Sequence, residues 1–93
     1  MAVKVRIPTI LRTYTDGASE VAVEPGEPTL SSLIDALEAA APGIAARVLD
    51  DTGALRRFVN VYVDDEDVRF TDGLATPVRD GAQVSIIPAV AGG

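Results

Sequence analysis

The 93-residue chain contains no cysteine, no histidine and no tryptophan. Without cysteine there can be no disulfide, thiolate metal site or thiol nucleophile, and without histidine the commonest general base is missing too. A disulfide-stapled secreted domain is therefore excluded. Aromatic residues are few: Tyr14, Phe58, Tyr62 and Phe70 are the whole set. Any core must rest on Val, Ile, Leu and Ala. No run approaches the roughly 18 apolar residues of a membrane helix. The opening Met1-Ala2-Val3-Lys4-Val5-Arg6-Ile7 alternates apolar with charged residues, unlike the continuous apolar stretch of a signal peptide. The expected setting is the cytoplasm, with no membrane contact.

What is present is a moderately apolar, acidic chain. Hydrophobic residues make up 47% and charged residues 24%, the balance of a globular protein. A chain of this length forms one domain and buries only somewhat over ~60% of its unfolded surface, too little to enclose a deep catalytic pocket. The formal net charge is −6. That sign repels a phosphate backbone, so nucleic acid is not an expected partner. It would suit a protein partner with a basic docking face.

The patterning predicts an α+β arrangement. Val3, Val5 and Ile7 alternate with Lys4 and Arg6 as in a half-buried strand, which Pro8 ends. Asp16-Gly17 marks a turn, and Val21 and Val23 share one face of a second strand, closed by Pro25-Gly26. The pair reads as an antiparallel hairpin with a long loop. Thr29 is placed to cap a helix whose inner face carries Leu30, Leu33, Ile34, Leu37 and Ala41, and Pro42-Gly43 stops it. A short helical piece is expected from Ile44 to Leu49. Val59, Val61 and Val63 alternate with Phe58, Asn60 and Tyr62 in the clearest strand. Asp64 to Asp67 read as a charged turn, and Val68 to Phe70 as a short return strand. The last strand turns Val84 and Ile86 inward, and Pro88, with no N–H to donate, ends its pairing. The expected fold is a mixed sheet of four to five strands grasping one main helix on one face. The domain spans residues 1–88, and 89–93 follow as a flexible C-terminal tail.

That tail, Ala89-Val90-Ala91-Gly92-Gly93, carries no polar side chain. With Pro88 it spans about 20 Å when extended. Small residues let such a segment thread a narrow channel in another protein and deliver its terminal carboxylate there. A frayed end is the plainer alternative, since most termini are poorly ordered.

The stretch from Phe58 to Phe70, Gly73-Leu74-Ala75-Thr76, and the ending Pro88 to Gly93 resemble the ubiquitin-like sulfur carriers. The family includes the small subunit of molybdopterin synthase and the thiamine-thiazole carrier. Together with Ile7-Pro8-Thr9-Ile10-Leu11-Arg12, these stretches are most similar to the actinobacterial branch serving cysteine biosynthesis. The resemblance covers nearly the whole chain and implies a ubiquitin-like β-grasp. It further implies that the Gly93 carboxylate is the working group. A ubiquitin-activating-type adenylyltransferase and sulfurtransferase would use ATP to activate it and install sulfur as a thiocarboxylate. A PLP-dependent cysteine synthase would take that sulfur onto an aminoacrylate, and a zinc peptidase would release cysteine and restore Gly93. The chain itself would be a carrier and cosubstrate rather than an enzyme, and ATP, PLP and zinc would belong to its partners. Carriage of sulfur for molybdopterin or thiazole synthesis and attachment to other proteins as a modifier are the alternatives, as is a non-covalent binding module.

Two surface features complete the reading. Asp64, Asp65, Glu66 and Asp67 lack the alternating ligands and central glycine of a calcium loop, so a solvated turn is expected and no metal. If Val59, Val61 and Val63 point inward, Phe58, Tyr62 and Ile87 share the outer face with Lys4 and Arg6 as a partner-docking patch. Ordinary exposure, or cover from Leu11 and the segment Ile44 to Leu49, is the alternative. Lys4 is the only lysine, which makes chains of linked copies improbable.

Overall fold

A computed structural model describes residues 2–88. The strands are β1 (Val3–Arg6), β2 (Glu20–Val23), β3 (Val59–Val63), β4 (Glu66–Asp67) and β5 (Gln83–Pro88). The α-helices are α1 (Leu30–Ala40) and α2 (Ala45–Val48). The five strands form one sheet in the order β2-β1-β5-β3-β4, mixed as expected. β1 runs parallel to the central β5, while the β1–β2, β3–β5 and β3–β4 pairs are antiparallel. This is the expected ubiquitin-like β-grasp, with α1 packed on one sheet face.

The alternation of the sequence becomes an alternation of burial. Val59, Val61 and Val63 are buried, whereas Asn60 and Tyr62 between them are only half-buried. Val84 and Ile86 of β5 and Val3 and Val5 of β1 face the same core. From the other side α1 contributes Leu30, Leu33, Ile34 and Leu37, and Ala41, Ile44 and Val48 close the end. None of the four aromatic residues is buried. The core is aliphatic throughout, as so few rings required.

Local rules fix the ends of α1. Thr29 Oγ1 accepts from Ser32 N–H at 3.3 Å, the expected cap. Past the helix, Gly43 has φ +99°, and a Cβ there would stand 3.0 Å from the Tyr14 ring. Only glycine fits that turn without displacing the ring. The Glu38 carboxylate folds back to accept from Gly43 N–H and Ala45 N–H, both at 2.9 Å, bridging α1 to α2.

Those two bonds hold the Glu38 carboxyl below its ordinary value of 4.5, the Gly43 N–H first and the Ala45 N–H second. A depressed folded pKa stabilises the fold above the unfolded pKa, and the contribution disappears as pH falls through the folded pKa. Glu38→Gln keeps one acceptor oxygen but no charge. Its urea midpoint should therefore lie below the parent's at pH 7. The two midpoints should converge as the pH drops below the carboxylate range, and a gap constant with pH would contradict this role.

Two sequence expectations need correction. Val68–Phe70 is not a return strand but one turn of 3-10 helix, capped by Asp67 Oδ1 accepting from Arg69 N–H at 2.9 Å. The return strand lies earlier, at Glu66–Asp67, inside the segment read as a turn. The turn itself is Asp64-Asp65 alone. Both residues have positive φ, 50° and 72°, which gives the primed two-residue turn that matches strand twist. Pro88, expected to end pairing, stands opposite Val59 and is the last paired residue of β5 among the described residues. On the β1 side the register stops earlier, at Arg6 opposite Ser85. The hairpin loop also holds a 3-10 helix, Thr9–Thr15, that no sequence pattern announced.

Candidate functional site

The predicted delivery residues, Ala89, Val90, Ala91, Gly92 and Gly93, lie outside the described residues. What the structure defines is the place they start from. β5 is flanked by β1 and β3, and its last residue, Pro88, sits opposite the first residue of β3. The chain therefore passes to Ala89 at the end of the middle strand rather than from a sheet edge.

Of the three predicted docking residues, Tyr62 and Ile87 lie on adjacent paired strands at positions that alternate with the buried ones, while Phe58 sits in the turn just before β3. Ile87 is opposite Asn60, and Phe58 and Tyr62 lie two residues to either side of Asn60. Tyr62 is thus a diagonal neighbour of Ile87, a spacing of roughly 7–8 Å that a ring and a branched side chain bridge. Phe58 is 60% and Ile87 48% exposed, and Tyr62 is half-buried. Leu11, Ile44 and Val48 are all in the buried core, so they do not cover this patch. Lys4 and Arg6 are exposed on the neighbouring strand, opposite Gln83 and Ser85, as expected.

Arg69 fixes the approach to the patch. Its guanidinium donates to Asn60 Oδ1 at 2.6 Å and to the carbonyls of Arg56 at 2.6 Å and Arg57 at 3.3 Å. The planar fork thus ties the backbone just before Phe58 to β3 and the 68–70 turn. Sequence reasoning gave Arg69 no role, because it placed the residue in a strand that does not form. It also passed over Ile10 and Phe70, 65% and 87% exposed. Ile10 carried a usable signal: it adjoins Leu11, and two consecutive apolar residues in a tight helical turn rarely both reach the core.

Beside the exit of β5 runs an open groove of about 470 Å³ between Arg6, Pro8, Arg12, Ser85, Ile87 and Pro88. Arg12 Nε donates to Ile7 O at 3.1 Å, which holds that side chain against the end of β1. At the far end of the sheet the acidic turn is engaged as a structural element. Asp64 Oδ1 accepts from Gln83 N–H at 3.0 Å, and Asp64 Oδ2 lies 3.8 Å from Arg79 Nε. Among the described residues no group of three or more acidic, His or Cys side chains is placed to hold a metal ion. Among the same residues no helix is long and apolar enough to cross a membrane.

Comparison with known proteins identifies this architecture. The chain is 54% identical to the sulfur carrier protein CysO of Mycobacterium tuberculosis over 95 aligned positions, covering all of both chains. A chain in the crystal structure of the Amycolatopsis orientalis BexX/CysO complex matches with a TM-score of 0.88 and 50% identity, covering 98% of this chain and 99% of that one. Small archaeal modifier protein 3 of Haloferax volcanii is 40% identical over 65 residues, 70% of each chain. The family description that matches is ThiS, over residues 5–93, a span that includes the terminal glycines. The chain belongs to the ThiS family.

Proposed function

We propose that this protein carries sulfur as a thiocarboxylate on Gly93 and delivers it for cysteine synthesis. The observation that carries the reading is the full-length likeness to a CysO sulfur carrier, together with a family match that runs through Gly92-Gly93. Geometry adds a reason why the terminus is the working part. The tail starts at the middle of the sheet, next to an exposed apolar patch, so a partner gripping the patch also receives the tail.

The chemistry follows from the weakness of a carboxylate as an electrophile. A Gly93 oxygen attacks the α-phosphorus of ATP on an adenylating partner, and pyrophosphate leaves. Sulfide then attacks the carbonyl carbon, AMP departs with the bridging oxygen, and the S–H proton is lost to solvent. The product is an anionic thiocarboxylate and a good sulfur nucleophile. In the cysteine branch its sulfur replaces the β-substituent of a three-carbon amino acid held by a PLP-dependent synthase, and that substituent leaves as its anion. An S-to-N acyl shift leaves cysteine in amide linkage to Gly93, and a zinc peptidase hydrolyses that bond. This chain contributes the carboxylate, the reach of the tail and the docking face.

The test of the destination uses the loaded carrier with a PLP-dependent cysteine synthase and its amino-acid substrate. A gain of one cysteine residue on Gly93 is expected. Sulfur passing only to a pterin or thiazole precursor would instead place the chain in a molybdopterin or thiamine route. The likeness to an archaeal modifier protein supports a second reading, attachment of Gly93 to lysines of other proteins. That reading predicts isopeptide-linked adducts in lysate.

Phe58→Asp probes the docking face. Because Phe58 is 60% exposed, the fold should persist, with an unchanged urea midpoint to within about 0.5 kcal/mol. Placing a charge in the centre of an apolar contact should weaken partner binding by on the order of 30-fold or more, the cost of a lost hot spot. Full binding by a folded Phe58→Asp protein would remove the patch from the account.

A further inference from the structure

The segment that carries Phe58 has no regular structure of its own. Between the end of α2 at Val48 and the start of β3 at Val59 the chain makes only turns and one isolated bridge, Leu49 to Leu55. Arg56 ties it to α2: its N–H donates to Val48 O and its Nε to Ala46 O, both at 2.9 Å. Beyond Arg56 the hold passes to a different part of the molecule. The peptide leading into Phe58 has its carbonyl on Arg57. Among the described residues that carbonyl accepts only from the Arg69 guanidinium, at 3.3 Å. Arg56 O, already bonded to Val59 N–H at 3.1 Å, accepts from the same guanidinium at 2.6 Å.

Arg69 is itself fixed at both ends. Its backbone N–H donates to Asp67 Oδ1 at 2.9 Å, and Val68 beside it is fully buried. At the tip, Nη1 donates to Asn60 Oδ1 at 2.6 Å. Asn60 alternates with buried Val59 and Val61 and stands opposite Ile87, so its side chain shares a face with Ile87 and Tyr62. The guanidinium therefore links the face of Tyr62 and Ile87 to the turn that bears Phe58. All three acceptors are uncharged oxygens, and they are engaged by two different nitrogens. The planar fork makes this possible, whereas an ammonium on a flexible stem is a single point of attachment.

We infer that Arg69 is the positioning residue of the docking face, holding Phe58 where the adenylating partner meets it together with Tyr62 and Ile87. This deepens the proposed function and rests on its docking patch. Arg69 acts through Phe58 and not on the reacting atoms at Gly93. An exposed ring on an irregular turn would otherwise have to be ordered at the moment of binding, which lowers affinity. The clamp orders that turn in the free carrier beforehand.

The test is a double-mutant cycle on binding to the adenylating enzyme of the same organism, read by calorimetry. Arg69→Gln and Phe58→Ala are made singly and together. Arg69→Gln alone should weaken binding about fivefold to tenfold, the effect of ordering one turn and its side chain on binding. Phe58→Ala should cost about tenfold or more. The double variant should bind within about twofold of Phe58→Ala, because without the ring nothing is left to position. Arg69→Lys keeps the charge but loses the fork, and should weaken binding nearly as much as Arg69→Gln. It also carries the cycle if Arg69→Gln proves unfolded under assay conditions. In the free carrier, hydrogen exchange at the Arg56 and Val59 amides should quicken in the Arg69 variants, while exchange in the β1–β5 ladder stays at the parent rate.

Additive losses in the double variant would give Arg69 a direct contact with the partner and overturn the inference. Parent-like binding by either folded Arg69 variant would overturn it too, as would unchanged exchange at Arg56 and Val59. Full binding by Phe58→Ala would fail the docking patch, and this inference with it. The sulfur chemistry is judged separately. A parent chain that binds but never gains sulfur fails the proposed function, whereas a loaded parent with parent-like Arg69 variants fails only this inference.

Discussion

A chain lacking Gly93 is expected to gain no sulfur at all in the presence of adenylating enzyme, ATP and sulfide. The loss should be complete rather than partial, because a carrier's chemistry resides in one group and no side chain can replace it. The protein has no thiol and no imidazole to offer an alternative acceptor. Shortening by one residue moves the terminal carboxylate back by about 3.3–3.6 Å along an extended tail, and a misplacement of even ~1 Å can cost ~100-fold in a positioned reaction. Folding should persist, since the sheet and α1 are held by the buried cluster that includes Val5, Leu37, Val61 and Val84. Extending the terminus is the complementary variant. A tag appended after Gly93 converts the carboxylate into an amide and should abolish loading equally. Yet a tagged chain should still bind the partner through Phe58, Tyr62 and Ile87 if its channel tolerates the longer tail. A tagged protein that retained full function would point to a non-covalent binding module.

The largest effect on stability is expected at Leu37. Its side chain is fully buried in α1, against a sheet whose facing residues are nearly all valine. No aromatic ring is available in the core to move into a void. Leu37→Ala should therefore cost about 2–5 kcal/mol, transfer and cavity terms together. Domains of this kind are stable by roughly 5–15 kcal/mol, so the loss is a large fraction of the total. Chemical denaturation should show a lower midpoint with little change in slope. A shift below about 1 kcal/mol would mean that the α1–sheet interface is far looser than the packing indicates.

The elements that were legible in the sequence are those whose side chains obey one period. Val59, Val61 and Val63 announce a strand because alternate positions are buried, and the same is true of Val3 and Val5. Thr29 announces a helix start because its oxygen is needed by an orphan N–H. The missed elements are held by particular bonds rather than periodicity. Val68-Arg69-Phe70 alternates like a strand, yet Asp67 caps it and the Arg69 guanidinium pulls it toward Asn60 and the 56–57 carbonyls. Asp64-Asp65 adopts left-handed angles that glycine or asparagine would have advertised. The Thr9–Thr15 turn buries only Leu11, too little for any pattern to register.

The site was legible in a different way. Alternation grouped Phe58, Tyr62 and Ile87, and the structure makes Tyr62 and Ile87 diagonal neighbours on paired strands while Phe58 lies exposed in the turn before β3. The role proposed for the terminal glycines came from resemblance, helped by the absence of Cys and His.

The account stands most directly on the mass of the intact protein after incubation with its adenylating enzyme, ATP and a sulfide source. The expected product is heavier by one sulfur less one oxygen, and fragmentation should locate the change at Gly93. An unchanged mass with a competent enzyme, or the same change elsewhere in the chain, would contradict the claim that the Gly93 carboxylate carries the sulfur.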